Sequence, residues 1–111
     1  MEQGRYKMTK EERLKIYEDA TNLWGDVAQY DQLIEEMGEL IVAINKLKRK
    51  LYHNEYKDRD VMQEVVEEMT DVKMSIEQIE NTFLQDQDFD GMLDKKCTKL
   101  KNLIEKMKAY N

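Results

Sequence analysis

Two pairs of acidic residues have the types and the spacing of a cation site. Glu36 and Glu39 lie three residues apart in one segment with a helical pattern, and Glu68 and Asp71 repeat that spacing in the next. Residues three apart share one side of a helix. Four carboxylates at the border of a core repel one another strongly unless a hard cation, which prefers oxygen ligands, neutralises them. The pattern therefore predicts a Mg²⁺ site.

The same spacing also has a simpler interpretation. Glu64 with Glu67 and Glu77 with Glu80 lie three residues apart as well. Charged side chains of helices are mostly solvated. Spacing alone thus leaves a solvated helix surface as an open alternative to a metal site.

The elements that must position these acids are predicted helices, and the chain contains no proline to interrupt them. Thr9 and Glu12 match a capping box at the start of the first helix, and Gly25 ends it. The second helix restarts near Asp26 and keeps an apolar stripe for about 25 residues, so it is roughly 37 Å long. Residues 52–60 are polar and are predicted to form a loop.

The third and fourth helices share one pattern, in which apolar residues alternate in steps of four and three. This is a strong signal for an amphipathic helix. Short connections favour antiparallel neighbours, so the sequence predicts an all-α four-helix bundle with long second and third helices. Residues 9–111 form its single domain, and residues 1–8 form a flexible N-terminal segment. The two stripes are Val61, Val65, Met69, Val72, Ile76, Ile79 and Phe83, then Leu93, Cys97, Leu100, Ile104 and Met107.

Composition argues against several classes of protein. The net charge of −6 argues against general binding to nucleic acid, which rests on clustered lysine and arginine. No 18-residue apolar stretch occurs, and the first residues lack the apolar run of a secretion signal, so we expect neither membrane insertion nor export. The expectation is a cytoplasmic protein in which Cys97 is a buried, reduced thiol.

The fourth helix complements the acids in charge. Residues 92–111 contain six lysines against Asp94 and Glu105, while the remaining chain is net −10. Lys96 and Lys99 lie at one edge of the apolar stripe of this helix, so we expect them to face the four carboxylates and to contact substrate phosphates. The alternative is that these lysines favour a helix C-terminus and keep the surface soluble.

The acids stand in a motif that resembles that of the MazG-like all-α nucleoside triphosphate pyrophosphohydrolases, EExxE followed by ExxD. The first element is EEMGE at residues 35–39, and the second is EMTD at residues 68–71. The resemblance covers residues 24–107. It departs from the family's pattern in the long separation of the two elements and in a last helix that offers lysine without arginine.

The resemblance implies a fold, an activity and a set of site residues. The implied fold is a MazG-like helical bundle. The implied reaction cleaves a nucleoside triphosphate between its α and β phosphates and releases a nucleoside monophosphate and pyrophosphate. Removal of non-standard nucleotides from the pool and control of an ordinary pool are both open as its role. The implied Mg²⁺ ligands are Glu36, Glu39, Glu68 and Asp71, with Glu35 supporting them. The alternative is a non-catalytic helical-bundle interaction protein.

Two further expectations concern the substrate and the assembly. Trp24, Gln29 and Gln32 are candidates for contact with the nucleobase, although aromatic residues at helical spacing are more often part of a core. The apolar stripe of the second helix is wide, with an additional flank available to a neighbouring subunit. We therefore expect a homodimer, or a tetramer, as the resemblance also implies. The flank consists of Leu33, Leu40 and Leu47.

A third acidic motif has a different interpretation. Asp86, Asp88 and Asp90 precede Gly91 in the D-x-D-x-D-G order that opens a calcium-binding EF-hand loop. The twelfth position of such a loop should be glutamate, but Cys97 stands there. We therefore expect an acidic cap for the fourth helix rather than a calcium site.

Overall fold

The structure is a computed structural model that describes residues 7–53 and 59–110. Over these ranges the chain is helical and contains no strand, so the predicted all-α class with four helices is confirmed. Most of the predicted N-terminal segment and of the predicted loop lies outside the described residues. The helices are α1 (Lys10–Trp24), α2 (Asp26–Tyr52), α3 (Arg59–Thr82) and α4 (Phe89–Ala109).

The boundaries of α1 follow from local chemistry. The Glu12 amide donates to Thr9 Oγ1 over 3.1 Å, and the Thr9 amide donates to Glu12 Oε1 over 3.4 Å, which confirms the predicted capping box. Gly25 separates α1 from α2 with φ +89°, a backbone conformation that L side chains rarely adopt. This glycine lets the chain turn between two helices with a single residue.

Helices α2 and α3 form the central antiparallel pair. Gln29 pairs with Gln78 near one end, and Lys46 pairs with Glu64 towards the other. Each helix turns a seam of buried and half-buried residues, spaced in steps of four and three, towards its partner. These inner seams are Gln29, Leu33, Glu36, Leu40, Ala43 and Leu47 on α2, and Val61, Val65, Glu68, Val72, Ser75 and Ile79 on α3.

Helix α1 packs against both members of this pair. Tyr17 is buried, and its hydroxyl donates to Glu77 Oε1 over 2.7 Å. Arg13 donates to both oxygens of the same carboxylate, over 2.7 and 3.2 Å. These hydrogen bonds lower the pKa of Glu77, while burial raises the pKa of Tyr17 to about 12. Through these hydrogen bonds, Glu77 on α3 joins α1 to the central helix pair.

Helix α4 contacts none of the other three helices, and each of its residues is exposed. The prediction that Cys97 is buried is wrong, because this cysteine is exposed together with the rest of the helix. The apolar period correctly predicted an amphipathic helix, but a period does not say what covers the apolar side.

On α2, the apolar residues that are covered and those that are exposed are the reverse of the expectation. Leu33, Leu40 and Leu47 are half-buried in the inner seam, whereas Ile34 and Ile41 are 63% and 60% exposed. The leucine flank is therefore taken up within the chain, and the isoleucines are the residues left uncovered. None of the helices in the described ranges is long and apolar enough to cross a membrane.

Candidate metal centre

Packing of α2 against α3 brings the four predicted ligands together. Glu36, Glu39, Glu68 and Asp71 each offer one carboxylate oxygen, and these four oxygens lie within 4.8 Å of one another. No other group of three or more acidic, histidine or cysteine side chains in the described residues converges in this way. The antiparallel pairing of two helices thus converts two distant motifs into one cluster.

Glu36 and Glu68 occupy positions in the inner seams, where neighbouring positions hold leucine, alanine or valine. Both are half-buried, and Glu36 Oε2 and Glu68 Oε2 are buried without a hydrogen-bond partner. A buried carboxylate oxygen without a partner is costly. The sequence interpretation placed these acids at the border of a core, whereas the structure places them in the contact between the helices.

Glu39 and Asp71 form the rim of the cluster, one helical turn beyond the seam positions. Glu39 is exposed and Asp71 is half-buried. Two carboxylates therefore lie inside the helix pair and two lie at its edge. This arrangement fits a cation that is held from within the protein and reached from solvent.

Burial and neighbouring carboxylates raise the pKa values of two acids in the cluster. Burial raises the pKa of Glu36, a hydrogen bond of 2.5 Å from Gln32 Nε2 lowers it, and the charges of Asp71 and Glu39 raise it. Burial, the charge of Glu68 and a hydrogen bond with Glu68 raise the pKa of Glu39. Oxygen-only ligands, several negative charges and unpartnered buried oxygens are the features that suit a hard divalent cation such as Mg²⁺.

The other acids with the same spacing have different environments. Glu64 pairs with Lys46 Nζ at 3.1 Å, and Glu77 pairs with Arg13, whereas Glu67 and Glu35 are exposed. Within the cluster, by contrast, Glu36 accepts its hydrogen bond from the neutral amide of Gln32. Spacing alone does not separate these acids from the four clustered acids, whereas a cationic partner or exposure to solvent does.

A cavity of about 410 Å³ lies between α1, α2 and α3. It is lined by all three residues predicted to contact a base, namely Trp24, Gln29 and Gln32. Trp24 is 67% exposed, so its indole is accessible to a ligand. Because Gln32 both lines the cavity and donates to Glu36, the cavity adjoins the carboxylate cluster.

Gln29 has a structural role that the sequence did not reveal. Its amide donates to the carbonyls of Ala20 and Gly25, over 3.5 and 3.3 Å, and its oxygen accepts from Gln78. These bonds connect all three packed helices. Contact between Gln29 and a base would require breaking some of them, so Gln32 is the better placed of the two glutamines.

Two polar residues of this region were missed in the sequence interpretation. Ser75 and Gln78 are buried, at 2% and 7% exposure, and both line the cavity. A signal for Ser75 was present, because it lies seven residues after Glu68, at a seam position where the pattern calls for an apolar residue. Polar residues within an otherwise apolar seam mark the site on α3.

The predicted phosphate contacts lie elsewhere in the chain. Lys96 and Lys99 are exposed on α4, which contacts none of the helices that carry the acids. The structure therefore does not bring these lysines to the cluster. Their role in binding substrate stays a prediction.

The acidic segment before α4 acts as a helix cap. Asp88 Oδ1 accepts a hydrogen bond of 2.9 Å from the Gly91 amide at the start of α4. Asp86, Asp88 and Asp90 are not among the side chains that converge into a cluster in the described residues. The cap therefore explains this motif without a calcium ion.

The fold and the site define an all-α protein with a four-carboxylate cluster between two antiparallel helices. Comparisons of the chain with protein-family models, with curated proteins and with solved structures find no significant match. Function is therefore inferred from the motif residues and from the geometry of the site.

Proposed function

We propose that the protein is a Mg²⁺-dependent nucleoside triphosphate pyrophosphohydrolase, which converts a ribo- or deoxyribonucleoside triphosphate to the monophosphate and pyrophosphate. The observation that carries the proposal is the convergence of Glu36, Glu39, Glu68 and Asp71, whose ligand oxygens lie within 4.8 Å of one another. These are the four positions that the MazG-like motif implies as ligands.

The four carboxylates have different tasks in this proposal. Glu36 and Glu68 are anchored in the helix contact, so their oxygens keep fixed positions. Glu39 and Asp71 lie at the rim, where a triphosphate arrives from solvent. Bound Mg²⁺ polarises phosphate oxygens and makes a coordinated water more acidic. Glu35 is exposed outside the ligand set, which leaves it available to orient the attacking water.

The adjoining cavity provides a place for the nucleoside. Its volume of about 410 Å³ lies in the range of small-molecule pockets. Trp24 presents an aromatic surface on which a base can stack. Gln32 links the cavity to Glu36, so a bound nucleoside would direct its phosphates towards the carboxylates.

Pyrophosphate release from a panel of nucleoside triphosphates, with Mg²⁺ and with a chelator, tests the proposal. We expect Mg²⁺-dependent turnover of at least one substrate. Glu68→Gln and Asp71→Asn should each lower kcat/KM by more than about 100-fold, because each removes a ligand charge. Glu67→Gln is the matched control, since this neighbouring glutamate is exposed and lies outside the cluster.

The competing function is a non-catalytic helical interaction module, and one observation favours it. The exposed apolar residues of α2 and α4 are surfaces suited to protein contacts. A module of this kind predicts no turnover of any nucleotide. It also predicts that Glu68→Gln and Asp71→Asn leave Mg²⁺ binding in calorimetry unchanged, which is the result that would reject the enzyme.

A further inference from the structure

Helix α4 has an apolar stripe that none of the other described helices covers. The helix contacts none of α1, α2 and α3, and each of its residues is exposed. The leucine, isoleucine and methionine side chains of the stripe are between 45% and 60% exposed. The α4 stripe consists of Leu93, Cys97, Leu100, Ile104 and Met107, and it is widened on one side by Met92 and Leu103. Exposed apolar surface of this kind marks a site of protein or membrane contact.

Lysines lie along both edges of the α4 stripe. At about 100° per residue, Lys96 and Lys99 lie on one edge, and Lys101 and Lys108 lie on the other. A lysine packs its four-carbon stem beside apolar groups while its ammonium group stays in a polar layer. The arrangement therefore suits a surface in which an apolar interior lies beneath a layer of negative charge.

The sign of the charge changes between α4 and the rest of the chain. Residues 92–111 carry six lysines and two acids, hence net +4, whereas the remaining chain is net −10. Those two acids, Asp94 and Glu105, lie further from the centre of the stripe than the lysines of the same edge. Because α4 contacts none of the other described helices, it can approach a negative surface without bringing the acidic helices onto it. Beyond about 8 Å, repulsion from their charges is largely screened at physiological ionic strength.

We propose that α4 binds the surface of a bilayer that contains anionic lipids, with the helix axis parallel to the surface. The α4 stripe enters the boundary between headgroups and acyl chains, and the lysines of both edges contact lipid phosphates. Amphipathic helices with lysines on the polar side bind bilayers in this way, through buried apolar area and attraction to anionic lipids. The inference is independent of the proposed catalytic function, because α4 carries none of the four clustered acids.

The type of cation on α4 favours a lipid surface over a groove on an acidic protein. Interfaces between proteins are enriched in arginine and tryptophan and depleted of lysine. Every cation of α4 is a lysine, and the helix contains neither arginine nor tryptophan. Lysine acts as a flexible point charge and does not need the planar, bidentate geometry that arginine finds in a fixed protein partner. A fluid layer of headgroups is the partner that this composition fits.

Co-sedimentation of the full chain with lipid vesicles tests the inference without any assay of activity. The vesicles consist of phosphatidylcholine alone or of phosphatidylcholine mixed with phosphatidylserine. Wild type should bind the mixed vesicles roughly tenfold or more tightly than the neutral ones, because several lysines face the headgroups. Raising the salt concentration should release the bound protein, since screening weakens attraction between the lysines and the lipids.

Two double variants separate the electrostatic part of the contact from the apolar part. Lys101→Gln combined with Lys108→Gln should weaken binding to the mixed vesicles by roughly tenfold or more. Leu100→Gln combined with Ile104→Gln keeps the net charge and should weaken binding to a similar extent, because it removes apolar groups from the stripe. Circular dichroism checks that both variants remain helical, which is expected because α4 contacts no other described helix.

Lys48→Gln combined with Lys73→Gln is the matched control. It removes the same charge from exposed positions on α2 and α3, and it should leave binding to the mixed vesicles within about twofold of wild type. Wild type that binds neither kind of vesicle overturns the inference, and a groove on an acidic protein would then explain the stripe. Binding that both α4 variants leave unchanged, or that the control weakens as much as they do, overturns it as well.

Discussion

Helices α3 and α4 carry the same sequence pattern in opposite environments. In both, apolar residues alternate in steps of four and three. On α3, four residues of the pattern are buried, including Val65 and Ile79 at 8% and 6% exposure, although Met69 and Ile76 are 48% and 40% exposed. On α4 every residue is exposed, with Leu93 and Ile104 at 60% and 45%. The comparison shows that a period identifies a helix and its apolar side. Which element covers that apolar side depends on the path of the chain in the tertiary structure.

The difference between these helices also decides where chemistry can occur. Helix α3 packs along α2, so the carboxylates of two motifs converge in one contact. Helix α4 extends away from the bundle, and its lysines remain separate in solvent. A cluster of carboxylates requires packed helices to position it, because only side chains fixed by packing keep like charges close together.

The test with the largest expected effect places a charged residue on the apolar stripe of α3 and on that of α4. Ile79→Asp should lower the free energy of unfolding by about 3 kcal/mol or more, since it buries an unpaired carboxylate. Leu100→Asp should change it by less than about 0.5 kcal/mol, because Leu100 is 56% exposed. Urea unfolding followed by circular dichroism measures both. Equal losses would mean that α4 packs against the rest of the protein in solution.

A second test removes a carboxylate from each helix. Glu68→Leu should raise the free energy of unfolding in a chelator by about 1–2 kcal/mol. The reason is that it removes an unpartnered buried oxygen and fills the seam. It should also weaken Mg²⁺ binding. Glu105→Leu on exposed α4 is the control and should stay within about 0.5 kcal/mol. A loss of stability in Glu68→Leu would contradict the repulsion described for the cluster.

A third test uses pH. The folded chain holds protons on Glu36 and Glu39 more tightly than the unfolded chain, because their pKa values are raised from 4.5. Stability of the metal-free protein should therefore fall as pH rises above about 4.5 through the raised values. Glu77, whose pKa is lowered, acts in the opposite sense below 4.5. Thermal unfolding in a chelator at about pH 5 and about pH 7 measures the effect.

Two comparisons complete the pH test. Glu36→Gln combined with Glu39→Gln should flatten the dependence above 4.5, since the titrating groups are gone. Saturating Mg²⁺ should oppose the loss of stability at higher pH, because a cation binds the ionised form. A metal-free protein whose stability rises over this interval would show that repulsion within the cluster does not control it.

The smallest effect concerns helix caps. Thr9→Ala should lower the free energy of unfolding by about 1 kcal/mol, since α1 is packed on α3. Asp88→Ala removes the cap of α4, so amide exchange in the first turns of α4 should become faster. The urea midpoint should not move, because α4 contacts none of the other helices in the described ranges. An equal shift of the midpoint in both variants would contradict the separation of α4 from the bundle.

Local signals were sufficient for much of the fold. The capping box at Thr9 and the break at Gly25 are found where the sequence predicts them. These features depend on residues within a few positions of one another. The resemblance to the MazG-like motif selected the clustered acids from others with equal spacing, and the proposed reaction still depends on that resemblance.

Rotational position was harder to predict. Sequence reasoning placed Glu36 and Glu68 at the border of a core, and it assigned the leucine flank of α2 to a subunit contact, whereas those leucines are half-buried in the inner seam. A wide apolar stripe offers more than one seam, and a helical wheel does not distinguish them. The seam that faces α3 runs through Ala43, the most buried residue of α2 at 1% exposure.

The sequence by itself determined the helices, their approximate ends and the identity of the acids that share a side, because these follow from local hydrogen bonding and from the period of the helix. Tertiary structure alone decided which seams meet, that two of the acids lie inside the contact, and that α4 packs against none of the other described helices. Those outcomes depend on packing between residues far apart in the sequence, such as Lys46 and Glu64 at 18 positions or Gln29 and Gln78 at 49, which no local pattern encodes.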